Sequence, residues 1–414
     1  MKSFVKYFAA TAIAALLAMA CVGCASEETP ATDDAATTSE QEAPAATSEP
    51  AATTEEAAAT EVTPEDVDEL IAAIQVQEWT ETTADDCAAA KAAWDALSDD
   101  QKAQVEEGDY FALDTGDASA DDPLNQDGIG ENEILVVSFG TSFNDSRVAD
   151  IGGVERAIQA AFPDWSVRRA FTAQIILNHI MARDGEAIDN VDQALQRAAD
   201  NGVKNLVIQP THLMHGAEYD ELVEATEAYA DQMNIVIAEP LLGEVGADAT
   251  VINDDKKAVA EAVVAEAVAQ AGYASVEEMD ADGAALVLMG HGTSHEANVT
   301  YSQMQTTMNE LGYKNVFIGT VEGEPEETEC SVVIGEVEKG GYSTVWLRPM
   351  MVVAGDHANN DMADPEDPES WVSMFTDAGS FENIETQVMG LGEIPAVQEL
   401  YVAHTAAALE SIEG

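Results

Sequence analysis

The chain has 414 residues, in which 16 Lys plus Arg face 79 Asp plus Glu for a net charge of -63. That balance excludes nucleic acid as a partner, because phosphate binding needs clustered cations, and excludes electrostatic docking on an anionic membrane, while favouring cations and metal ions. The length predicts more than one folding unit, and a hydrophobic content of 46% is ample for real cores.

In chain order, Met1, Lys2 and Lys6 precede an apolar run from Tyr7 to Ala20 that is too short and wrongly flanked for a spanning helix, so residues 1–24 read as an export signal. Gly23 directly before Cys24 and the polar tail after it resemble a bacterial lipobox. Cys24, rather than Cys21, is the expected lipid attachment site on the outer face of the cell membrane, and the lipid is the only membrane contact expected. Residues 25–62 are Ala, Thr, Ser, Pro and Glu, a composition that cannot bury enough apolar surface to fold, and read as a disordered acidic linker.

Residues 63–113 turn to helical periodicity, with Val67, Leu70, Ile71 and Ile74 on one face and Cys87, Ala90, Ala93, Trp94 and Leu97 on the next. Thr63-Pro64-Glu65-Asp66 is a helix start with Thr63 as N-cap. Residues 114–132 are acidic and Gly-rich; Asn125, Asp127 and Gly128 miss the EF-hand spacing, so this stretch reads as a linker. Cys87 and Cys330 fall in separate modules, and no disulfide framework is expected.

From Glu133 onward, short apolar runs alternate with helical segments, the pattern of an α/β fold with parallel sheets. Strands are predicted at Ile134–Phe139, Val167–Phe171, Asn205–Gln209, Ile235–Ala238, Ala285–Met289, Val316–Gly319, Thr344–Arg348 and Ile384–Val388, with six helices between them. The chain also repeats itself. Ile134 to Ser142 reappears as Leu286 to Ser294, with Phe139 in the place of His291, and Val207-Ile-Gln-Pro210 reappears as Trp346-Leu-Arg-Pro349, with Glu218 in the place of His357. Two similar Rossmann-like halves are therefore expected, residues 133–280 and 281–414, with ligand in the cleft at the carboxyl ends of the strands.

Three loops of the second half carry metal-capable side chains: His291 between two glycines, Glu322, and His357. Two neutral imidazoles and a carboxylate suit Co²⁺, Fe²⁺, Ni²⁺ or Zn²⁺. His295 stands four residues after His291, but the Gly-His-Gly-Thr context is a loop and no Glu follows His291, which excludes a zincin. His212 and His215 sit on the matching loop of the first half and are candidates for the opposite wall; His179 and His404 lie in helices and read as structural. No P-loop, dinucleotide fingerprint or nucleophile elbow occurs, so no nucleotide is expected.

At these loops the sequence resembles the anaerobic-type sirohydrochlorin cobaltochelatase family (CbiK), of the class II chelatases that include ferrochelatase. The resemblance runs from about Glu133 to Glu410. It rests on V-S-F-G-T-S with Asp145 to Arg147, Arg169 to Thr172, Q-P-T-H with Gly216 to Tyr219, M-G-H-G-T-S-H with Asn298 and Tyr301, Gly319 to Gly323, Val353 to Met362, Ser370-Trp371, and Gly390 to Glu393. It implies a chelatase fold of two α/β halves and insertion of a divalent metal, Co²⁺ or Fe²⁺/Ni²⁺, into a tetrapyrrole without ATP. The metal ligands it implies are His291, Glu322 and His357, with His291 also the proton acceptor. Phe139, Thr141, Arg147, His212, His215, Glu218, Thr293 and His295 are the candidates for tetrapyrrole contact.

A polycarboxylate substrate on so acidic a chain needs local cations, and Arg147, Arg168, Arg169 and Arg348 are the expected ones. The alternative reading is an extracytoplasmic lipoprotein that binds or transfers haem, tetrapyrrole or metal without turnover. A homo-oligomer is compatible with either.

Overall fold

The computed structural model describes residues 62–413. The export signal, Cys21, Cys24 and all of the expected tether except Val62 lie outside the described residues. Among the described residues no helix is long and apolar enough to cross a membrane.

Eight strands form where the apolar runs predict them: β1 (Asn132–Ser138), β2 (Ser166–Phe171), β3 (Asn205–Pro210), β4 (Asn234–Ile237), β5 (Ala284–Gly290), β6 (Val316–Thr320), β7 (Thr344–Pro349) and β8 (Asn383–Thr386). They make two all-parallel sheets ordered β2-β1-β3-β4 and β6-β5-β7-β8, so the second repeats the first strand for strand. The central strands β1 and β5 are buried along almost their whole length, as parallel strands covered on both faces must be.

The two-residue side-chain period divides each sheet between two cores. Ile134, Val136, Leu286 and Leu288 enter one large shared cluster. Leu135, Val137, Leu206 and Ile208 face a separate cluster of the first half, and Ala285, Val287, Val345 and Leu347 face one of the second.

More helices form than the six expected: every connection between successive strands carries at least one, and β2–β3 and β4–β5 carry two each, Gln174–Asp184 with Val191–Asp200 and Asp254–Gln270 with Val276–Ala281. The halves also exchange material at the chain end. Helix Pro395–Glu413 returns to the first sheet, where Tyr401 Oη donates to Thr211 O at 2.8 Å and Thr405 Oγ1 to Gln209 Oε1 at 2.8 Å. The end of the expected second half, 281–414, therefore packs on the first sheet.

The segment before β1 corrects a further expectation. The helix Pro64–Ile74 starts as read, with Thr63 and Asp66 in a reciprocal capping box. It and helix Thr83–Ala96 pack on helix Gln174–Asp184: Asn178 Nδ2 donates to Ile74 O at 2.9 Å, and Tyr110 stacks on His179 at 3.9 Å between ring centroids. Burial drives the His179 pKa down to about 4, consistent with a structural role.

Residues 114–132 are not a free linker but a strap. The side chain of Asp121 is 3% exposed and accepts from Arg147 Nε at 2.5 Å and from Arg169 Nη1 at 2.6 Å, and Arg169 N donates to Leu124 O at 3.2 Å, which covers the outer edge of β2. Cys87 and Cys330 are separate buried thiols.

Candidate functional site

The functional side chains leave the carboxyl ends of β5, β6 and β7. Gly290 ends β5 because no side chain fits there: a Cβ would lie 2.4 Å from the Tyr301 ring. Gly292 has φ +93, a left-handed conformation that glycine adopts without strain, and its missing Cβ makes room for Glu322 and Thr320. His291, between these two glycines, stands exposed at the apex of the turn. Tyr301 Oη accepts from Gly292 N at 3.1 Å and steadies the turn from below. Burial pushes the Tyr301 pKa to about 12, so it stays a neutral phenol.

His357 arrives from β7 and meets His291 edge to face, with ring centroids 4.7 Å apart. Each ring is anchored through the same atom. His291 Nδ1 lies 2.7 Å from Gly292 O, and His357 Nδ1 lies 2.6 Å from Asp361 Oδ2. A carbonyl or a carboxylate can only accept, so both Nδ1 atoms carry a proton, and in the neutral form of each ring the lone pair is left on Nε2, the form that binds a metal ion.

Burial disfavours the charged form of His357, but the Asp361 carboxylate, with Asp356 and Glu322 behind it, outweighs burial and holds the pKa above its ordinary value. Asp361 has no role in the sequence reading. The signal was an acid four residues after a histidine, at the start of a helical turn, a spacing that lets the two side chains meet.

Glu322 is fixed to this pair by its main chain, its N donating to His291 O at 2.9 Å, and its side chain is exposed. Among the described residues no three His, Cys, Asp or Glu side chains gather closely enough to hold a metal ion as they stand. Of the three expected ligands, the structure therefore joins the two imidazoles and leaves the carboxylate beside them.

The first-half candidates are distributed differently. Phe139, at the position equivalent to His291, is 40% exposed at the end of β1. Thr141 is buried against the second half, where a Cβ on Gly355 would lie 2.9 Å from its Oγ1. His212 has no hydrogen-bond partner for either ring nitrogen among the described residues, and burial lowers its pKa to about 4 against the pull of Glu218.

Glu218 itself is exposed in the first turn of helix Ala217–Glu227. His215 pairs with Glu239 at 3.2 Å, and His295 reaches across to Asp220 of the first half at 3.4 Å. Thr293 Oγ1 accepts from His295 N at 3.1 Å, which shapes the turn that carries His295.

The four arginines expected to meet substrate carboxylates do not reach solvent. Arg147, Arg168, Arg169 and Arg348 are at most 1% exposed. Arg147 is spent on Asp121, Glu186 and Thr141 O, Arg168 on Glu133, and Arg169 on Asp121 and Glu155. Arg348 donates to Gln270 and Gln387. A buried guanidinium is costly unless carboxylates or carbonyls take its donors. Arg147 and Arg169 are satisfied in this way from within, whereas Arg168 Nη1 and Arg348 Nε and Nη2 are buried with no hydrogen-bond partner among the described residues.

The sequence model of the family described as cobalt chelatase (CbiK) matches residues 132–410. The chain is 33% identical over 277 residues to the sirohydrochlorin cobaltochelatase of Salmonella typhimurium, covering 67% of this chain and 96% of that protein. It is 29% identical over 280 residues to the sirohydrochlorin cobaltochelatase CbiKC of Nitratidesulfovibrio vulgaris, covering 68% of this chain and 91% of that one. A solved structure, SirB from Bacillus subtilis with Fe3+, aligns at a TM-score of 0.45 and 17% identity over 68% of this chain and 98% of its own. The helical module and the strap precede the matched residues. Over that match, and at that identity across nearly the full length of a relative, the chain belongs to the cobalt chelatase (CbiK) family.

Proposed function

We propose that the protein is a metal chelatase that inserts Co²⁺ into sirohydrochlorin, without nucleotide, as a step of cobalamin synthesis. The observation that carries this reading is the facing pair of imidazoles, His291 and His357, each held by its Nδ1 proton so that Nε2 is presented. Metal insertion needs an ion bound loosely enough to leave, and two neutral nitrogens hold a divalent ion less firmly than a closed set of four ligands.

The overall exchange is balanced: M²⁺ enters, two pyrrole N–H bonds break, and two protons leave. His291 Nε2, exposed at the rim, is the acceptor we assign for a pyrrole proton. A neutral imidazole can take a proton near neutral pH and return it to water. Glu322, whose main chain is tied to His291, turns its carboxylate onto the ion by side-chain rotation and offsets its charge. The exposed ring of Phe139 offers an aromatic face to the macrocycle.

Fe²⁺ and Ni²⁺ suit the same donors and belong in the same assay. The reading includes export and attachment through a lipid on Cys24, which a Cys24→Ser substitution tests by release from the membrane fraction.

The decisive experiment is anaerobic incubation of sirohydrochlorin and Co²⁺ with purified protein, following the macrocycle's absorbance. Time-dependent metallation at catalytic protein concentration is expected. Capture of tetrapyrrole in a one-to-one ratio without turnover would overturn the enzyme reading in favour of a binding protein.

A further inference from the structure

His357 sits three residues beyond Ala354, in a stretch between β7 and the helical turn Ala358–Met362. Both main-chain groups of Ala354 are taken by the other half. Its N–H donates to Asp150 Oδ2 at 2.9 Å, and its carbonyl accepts from Ser146 Oγ at 2.6 Å. Asp150 lies in a π-turn, Arg147–Ile151, where the extra residue per turn re-aims side chains.

The surroundings are cut to fit this carboxyl. A Cβ on Gly390 would lie 2.6 Å from Asp150 Cγ, and one on Gly392 would lie 2.6 Å from Asp150 O. Asp150 is 1% exposed, and its Oδ1 has no partner among the described residues. Burial raises its pKa to about 7. A carboxyl kept inside against that desolvation cost, and aimed at a loop that carries chemistry, is the pattern of a group retained for a function.

We infer that Asp150 and Ser146 are positioning residues: the first half grips Ala354 and so sets where His357 meets the metal ion. This rests on the reading of His357 as a metal ligand. The grip acts on the main chain that leads to His357, so its loss is expected to weaken Co²⁺ binding and to spare the tetrapyrrole.

The test is a Co²⁺ titration of the full chain by visible absorption, together with KM values for Co²⁺ and sirohydrochlorin. Asp150→Ala is expected to weaken Co²⁺ binding and raise its KM by about tenfold, the scale of one hydrogen bond to a charged group. The KM for sirohydrochlorin stays unchanged. Asp150→Asn, whose amide oxygen can still accept from Ala354 N–H, restores Co²⁺ affinity, and Ser146→Ala weakens it in the same direction by less.

Equal loss toward both substrates, or no restoration by Asp150→Asn, overturns the inference. If Asp150→Ala does not fold, Ser146→Ala decides: unchanged Co²⁺ affinity overturns the grip. Wild-type protein that loses Co²⁺ binding on His357→Ala but is indifferent to both grip substitutions leaves the functional reading standing without the grip. Wild-type protein whose Co²⁺ binding ignores His357→Ala overturns both.

Discussion

The two halves share a strand order, yet their equivalent loops do opposite work. β5 delivers His291 to solvent and β7 leads to His357, and the two rings meet. In the first half Phe139 stands where His291 stands, and the charged groups behind it turn inward, with Arg147, Arg168 and Arg169 paired to Asp121, Glu133, Glu155 and Glu186. The topology fixes where a loop emerges, and the residues on it decide whether the loop binds a ligand or holds the scaffold. On the function proposed above, the first half is the frame and the second carries the metal chemistry.

The largest expected effect tests that division directly. His291→Ala removes both a metal donor and the assigned proton acceptor, and kcat/KM for Co²⁺ insertion should fall by about 10²- to 10⁴-fold, the usual contribution of a positioned acid or base. The fold should be intact by circular dichroism, because the ring's own hydrogen bond reaches only its neighbour Gly292. The mirror substitution, Phe139→His, should create no second Co²⁺ site in a titration, since no equivalent of the Asp361-backed imidazole faces it.

Asp121→Ala attacks the frame. It strips a carboxylate from two buried guanidiniums, and breaking a buried pair costs about 3–5 kcal/mol. Urea unfolding should show the loss, while the KM for sirohydrochlorin holds in the protein that remains folded. A shift in that KM would mean that Arg147 or Arg169 serves the substrate after all.

The contrast also explains what could be seen in the sequence. The eight strands were legible because buried parallel strands are continuous apolar runs, and the meeting of the two histidine loops because Gly-His-Gly and the run around His357 place imidazoles directly after such runs. The fate of the arginines was not. Arg168 and Arg169 occupy the middle of β2, where burial is the rule, and neutralising them takes partners 14 to 48 residues away in sequence, Glu133, Glu155 and Asp121. A strand-centred arginine pair was the available hint. Asp121 itself was hidden in an acidic, Gly-rich stretch whose composition is that of a linker; one tertiary ion pair overrides composition. Asp361 was within reach of inspection, and Asp150 was not, since its partner is a main-chain group more than 200 positions on.

Asp361→Asn is a milder blow to the second half. Loss of the carboxylate behind a metal-binding histidine typically costs about 10–100-fold in affinity. The pH dependence has a definite sign. Because Asp361 helps to hold the His357 pKa above its ordinary value, protons compete with Co²⁺ up to a higher pH than for a free imidazole. In the variant, Co²⁺ binding should be weaker at its plateau but should begin at lower pH. The imidazolium's contribution to apo-protein stability is present below the unfolded pKa of about 6.5 and is lost as pH rises through the raised folded value, so the variant should lose stability mainly on the acidic side. Thermal melts at two pH values and Co²⁺ titrations across the same range measure both.

The smallest effect compares the halves at matched positions. Gly140 and Gly292 both have left-handed backbones, φ +101 and φ +93, and both follow the residue at the strand's end. Alanine at either site incurs strain of about 1–3 kcal/mol, readable as a drop in Tm. The neighbours differ. At Gly140 the new Cβ would fall 2.6 Å from the buried Phe171 ring, and at Gly292 it would fall 2.9 Å from Glu322 Cβ. The same insertion therefore presses on packing in one half and on the proposed ligand Glu322 in the other. Gly140→Ala should lower Tm as much as or more than Gly292→Ala while leaving Co²⁺ affinity alone, and Gly292→Ala should lower both. Equal effects on Co²⁺ affinity would show that the first-half turn belongs to the metal site, and the division of labour between the halves would have to be redrawn.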